Sequence, residues 1–136
     1  MQELEERLRE DLLNIGLVED FTLSLRPYSK SYFGRFDPNT DTVIVYVQKT
    51  PEGSLYSYRE LLLTTIHEVI HCKQWHNPEF KRVKGVMHDP EFKRLYSLYS
   101  DRAEARILFR EVRRRSYDCI YQARVQQTYD LCSVHG

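Results

Sequence analysis

Residues 67 to 71 read HEVIH, and that spacing has a chemical use. On a helix turning ~100° per residue, positions four apart return to nearly the same side, so His67 and His71 can present imidazole nitrogens to one metal ion. Glu68 stands ~60° from His71 around the same helix, close enough to act on a metal-bound water without being a ligand. Zinc suits this set. It accepts imidazole nitrogens, keeps three protein ligands when it serves in catalysis, and lowers the pKa of a bound water to about 7. Glu68 is then the candidate general base.

A third protein ligand is needed, and the sequence offers four candidates: His76, His88, Glu104, and His135 with its neighbour Cys132. His76 lies ~900° beyond His67, half a turn off the metal-facing side while the helix lasts. CKQW, between His71 and His76, has no glycine to reverse the chain. His88 follows Gly85 and precedes Asp89, a good capping residue, so it enters from a loop that can turn back over the helix. Glu104 would satisfy zinc equally well. With Asp101 three residues before it, however, it also reads as a capping box at a helix start. His88 is favoured over Glu104, and both remain candidates.

The elements that must position these residues follow from pattern. Leu4, Leu8, Leu12 and Ile15 have helical spacing and end at Gly16, which predicts an N-terminal amphipathic helix. FTLSLRPY alternates, with Phe21, Leu23 and Leu25 on one face and Pro27 closing a short strand. Two extended runs flank DPNTD, a turn sequence, which predicts a hairpin; Val43 to Val47 is apolar enough to be covered on both faces. Ser57 with Glu60 forms a capping-box signature for a central helix starting near Tyr58, and Asn77 before Pro78 ends it by His76. HNPEFKR and HDPEFKR, twelve residues apart, each place a capping residue before proline and read as two helix starts. A long C-terminal helix follows, with Ala105, Phe109 and Val112 on one stripe and a break expected near RRRSYD.

Composition sets the frame. At 136 residues, 41% hydrophobic and 29% charged, the chain has the make-up of one soluble globular domain. No apolar run approaches a membrane span, and the charged first residues are unlike a signal peptide, so a cytoplasmic location without a membrane partner is expected. Cys72, Cys119 and Cys132 are odd in number and form no C-x-x-C, which predicts reduced thiols rather than a disulfide framework. The net charge of zero divides unevenly. There are 7 basic and 12 acidic residues through Glu68, then 13 and 8 after it. KRVK (81 to 84) and RRR (113 to 115) permit a phosphate-backbone contact and more simply make solvated helix faces.

On LLLTTIHEVIH (61 to 71), on MHDPEF (87 to 92) and on the strand pair YFGRFDPNTDTVIVYV (32 to 47), the chain resembles the SprT-like metallopeptidases, the family that includes the Spartan DNA–protein crosslink proteases. The second stretch matches where that family carries a third histidine followed by a small residue, two variable ones and phenylalanine. The resemblance covers about residues 20 to 98 and implies zinc on His67, His71 and His88, with Glu68 as catalytic base. It implies an α+β zincin-like fold over residues 1–136: an N-terminal helix, a small sheet, the H-E-x-x-H helix and C-terminal helices, with a helical extension over 99–131. Hydrolysis of peptide bonds in a protein or peptide substrate is the implied activity, with DNA as a further partner. Asp89 stands where glycine is common in the family, and no cysteine pairs supply the zinc ribbon of many relatives. An ImmA/IrrE-like peptidase is the alternative, in which RAEAR (102 to 106) would put Glu104 on the metal. A noncatalytic, zinc-stabilised module that binds DNA or protein is the reading from another class.

Overall fold

The computed structural model describes the backbone of residues 1–77, 79 and 88–133, with side chains up to Arg115. The architecture is α+β: α1 (Gln2–Asn14), β1 (Thr22–Tyr28), β2 (Gly34–Asp37), β3 (Thr42–Gln48), α2 (Tyr58–His76) and α3 (Pro90–Ser133). The chain divides into a unit from Met1 to Glu104 and a second from Ala105 onward. Among the described residues no helix is long and apolar enough to cross a membrane.

The sheet has the order β1-β3-β2, with β1 parallel and β2 antiparallel to β3. β3 is central because its residues can be covered on both faces: Val43, Ile44, Val45 and Val47 are all buried. The expected hairpin joins β2 to β3 through a turn whose Asp37 carboxylate accepts from the Asn39 N–H at 3.0 Å. Pro27 does not close β1, which runs to Tyr28. As an edge strand, β1 can carry a proline because no neighbour on that side needs its N–H.

α2 begins with the full capping box: Ser57 Oγ accepts from the Glu60 N–H, and the Glu60 carboxylate accepts from the Ser57 N–H. It ends at Asn77, extended before Pro78 (φ −84°, ψ 111°). One side of the helix buries Leu62, Ile66, Val69 and Ile70, each contributing ~1.5–3 kcal/mol by burial. This side packs on β3 and β2. α1 ends as its sequence suggests, with Gly16 at φ 83° after the last turn. Asp11 on α1 is fully buried, and the Tyr58 hydroxyl at the start of α2 donates to it, which ties the two helices together.

Two expectations along the third helix are corrected. α3 runs unbroken through RRRSYD, since nothing there removes a backbone donor. Asp101 and Glu104 lie inside it, so they are not a cap. The helix starts at Pro90 instead, where Asp89 Oδ1 accepts from the Phe92 N–H at 2.8 Å. In the second unit, Phe109 and Val112 are exposed rather than packed. Asn77 Oδ1 accepts from the Glu79 N–H at 3.0 Å, while Pro78 and the KRVK stretch, where the expected second helix would run, lie outside the described residues.

Candidate metal centre

His67 and His71 share one side of α2, and their Nε2 atoms stand 3.3 Å apart. His88 comes from the other direction, immediately before the α3 cap, and brings its Nε2 to 3.1 Å from that of His67. All three donor atoms fall within 4.8 Å of one another. Two histidines are thus set by helical spacing, and the third by where α3 begins.

Packing fixes the rings. Phe92, only 2% exposed, stacks on His71 at 4.5 Å between centroids and also touches the rings of His67 (4.8 Å) and His88 (4.7 Å). One turn on, Tyr96 lies parallel to Phe92 and edge-on to His67 at 5.7 Å. Asp89 does two things at once: its buried carboxylate caps α3 and accepts from Gln74 Nε2 of α2 at 3.4 Å. It therefore anchors the residue next to His88 to the helix that carries the other two histidines.

The electrostatics suit ligation. Burial, and then the charge of His88, push His67 down to about 4, so at neutral pH its imidazole is uncharged and can offer a lone pair. Glu68 is 7% exposed, and burial pushes its carboxyl up to about 7. Its Oε2 lies 4.0 Å from His67 Nε2, beside the three nitrogens rather than among them. A carboxyl balanced near neutrality can both take and return a proton.

Two clefts meet at His67 and Glu68. One, of about 340 Å³, reaches past Phe33, Leu63 and Tyr96. The other, of about 380 Å³, is walled by Arg35, Phe36, His71 and His88. Tyr32 and Gly34 border both. Gly34 is necessary to that arrangement: a Cβ there would stand 2.8 Å from the Ile44 carbonyl oxygen, 2.8 Å from Thr64 Cγ2 and 3.3 Å from Glu68 Cγ. Only a residue without a side chain lets β2 approach α2 beside Glu68.

The other candidates go elsewhere. Glu104 meets Arg59 at 2.6 Å and belongs to no histidine cluster among the described residues. His76 faces away from His67 and His71, as its angle on α2 requires, and pairs with Asp41. His135 and the side chain of Cys132 lie outside the described residues. Sequence reasoning missed Gly34 and the supporting role of Phe92 and Tyr96. The four-residue spacing of that aromatic pair behind the Asp89 cap was the available signal.

No family model matches the chain, and no curated protein matches it. Among solved structures, it is similar to the metallopeptidase zymogen of Pyrococcus abyssi abylysin, with 19% identity and a TM-score of 0.48 over 79% of this chain and 93% of that one.

Proposed function

We propose that the protein is a zinc-dependent metallopeptidase of the SprT-like kind, in which His67, His71 and His88 hold the metal and Glu68 is the general base. One observation carries the reading. The Nε2 separations of 3.3 Å and 3.1 Å are close to the roughly 3.3–3.4 Å that donors about 2.0–2.1 Å from one tetrahedral ion must keep. Three imidazole nitrogens with a carboxyl beside them also fit zinc chemically. Two further observations support it: His67 is held neutral, and Glu104 is engaged by Arg59, which favours His88 as the third ligand.

When bound, the ion would supply a Lewis acid for the attacking water and the scissile carbonyl. Glu68 would accept the proton of that water at its carboxylate and return it to the leaving nitrogen. A carboxyl pushed up to about 7 by burial is suited to both transfers. The substrate would lie extended through the clefts on either side of Glu68, beside the edge strand β2. DNA-associated proteins are included as substrates on the family resemblance, with Arg113, Arg114 and Arg115, exposed on α3, available to phosphates.

The test is hydrolysis of an unstructured protein by the purified chain, with and without chelator and with zinc restored. Glu68→Gln should retain metal and lose cleavage. Absence of cleavage by wild type at full zinc occupancy would favour the noncatalytic module, and cleavage unaffected by Glu68→Gln would refute the base assignment. Addition of DNA to the same assay tests the nucleic-acid part.

A further inference from the structure

α2 repeats its histidine spacing five residues further on. Cys72 and His76 are again four apart, ~140° around the helix from the His67 and His71 pair. Cys72 is fully buried, and its Sγ lies 3.8 Å from Nδ1 and 3.9 Å from Nε2 of His76. The third member comes from the turn between β2 and β3: Asp41 Oδ1 is 2.7 Å from His76 Nε2. One donor atom from each of Asp41, Cys72 and His76 falls within 4.8 Å of the others.

The geometry points to a second cation site, in which Cys72 Sγ, a ring nitrogen of His76 and a carboxylate oxygen of Asp41 hold a zinc-like divalent ion. Thiolate, imidazole and carboxylate together are a donor set for borderline-soft metals such as zinc and cobalt, not for magnesium or calcium. The distances are near those needed. With sulfur at about 2.3 Å and nitrogen at about 2.0–2.1 Å from a tetrahedral ion, the two donors stand roughly 3.5–3.6 Å apart, a few tenths of an ångström inside the observed separation. The Asp41 to His76 contact opens from 2.7 Å by roughly 0.6–0.7 Å to admit the ion.

The surroundings favour a cation. Glu19 and Asp20, besides Asp41, bring negative charge to the same thiol, and the C-terminal end of α2 adds its own partial negative charge. The side chains of His76 and Asp41 are 27% and 50% exposed, which leaves a fourth position open to water. A nucleophilic Cys-His-Asp arrangement is excluded by access: Cys72 is covered, and its Sγ faces the Asp20 carbonyl at 3.8 Å. The role is structural. An ion there pins the hairpin turn to the end of α2, and its binding free energy adds to folding.

Cobalt titration of the full chain tests this, because a thiolate ligand produces a sulfur-to-cobalt charge-transfer band in the near ultraviolet that an all-histidine site lacks. Wild type should show the band and bind two equivalents. Cys72→Ser and His76→Ala should each lose the band and one equivalent, while His67→Ala keeps the band and loses the other. No band at saturating cobalt overturns the proposal. So does a band that survives His76→Ala and Cys72→Ser, which would place it on Cys119 or Cys132. If Cys72→Ser does not fold, His76→Ala and Asp41→Asn, at partly exposed side chains, decide alone, with at least tenfold weaker cobalt binding expected at this site. The two sites read out separately, so failure of one leaves the other standing.

Discussion

Glu68→Gln separates the electrostatics of the proposed metal centre from its architecture. Burial raises the carboxyl from its ordinary 4.5 to about 7, so the folded protein keeps a proton that the unfolded chain releases. Stability from this group is therefore full at low pH and is lost as pH rises from about 4.5 through about 7. At 1.36 kcal/mol per pKa unit, the loss is about 3 kcal/mol in the metal-free protein. Glutamine has the same shape and cannot ionise. Metal-free Glu68→Gln should match wild type near pH 4.5 and exceed it by about 3 kcal/mol near pH 8. His67 acts in the opposite sense, since its lowered pKa contributes stability that is lost as pH falls from 6.5 through about 4. It is present in both proteins and cancels in the difference. Urea unfolding of both, in chelator and across that range, gives the comparison at constant m. A difference that does not change with pH would refute the claim that a buried, ionising carboxyl sits beside the histidines. In the zinc-loaded proteins the same substitution should lower hydrolysis by ~10²–10⁴.

Other substitutions probe the supports. Elemental analysis should find the three-histidine ion lost in His88→Ala and retained in Glu104→Ala, and the reverse result would return Glu104 to the metal. Asp89→Ala removes the cap on Phe92 N–H and the Gln74 contact. It should cost about 1–2 kcal/mol in thermal unfolding and weaken metal binding, because His88 loses its anchor. Gly34→Ala forces a Cβ against the Ile44 carbonyl and Thr64, a cost of about 1–3 kcal/mol. Adding Thr64→Ala should recover only part of it, since the Ile44 contact is backbone. Full recovery in urea unfolding would show that the backbone contact does not matter.

The parts of the fold that were legible are those decided within a few residues. Ser57 and Glu60 cap α2 whatever surrounds them, and the same is true of Asn77 before proline and of DPNTD between two extended runs. Pro27 and the Asp101 and Glu104 pair misled for a common reason. A proline ends a strand only where a neighbour needs its N–H, and an aspartate caps a helix only where the helix begins. Neither condition is local, because the first depends on strand order and the second on a start made eleven residues earlier at Pro90.

The candidate site divides along the same line. Helical periodicity by itself determined that His67 and His71 share a side, that Glu68 lies beside them and that His76 turns away. Tertiary structure alone decided that His88 rather than Glu104 reaches the pair, because that depends on Asp89 tying the start of α3 to Gln74 and on Phe92 filling the space beneath the rings. It also decided where His76 goes, since Asp41 arrives from a strand turn distant in sequence. Spacing along one helix is set by backbone geometry. Contacts between elements are set by which apolar faces must be buried together, and that is a property of the whole chain.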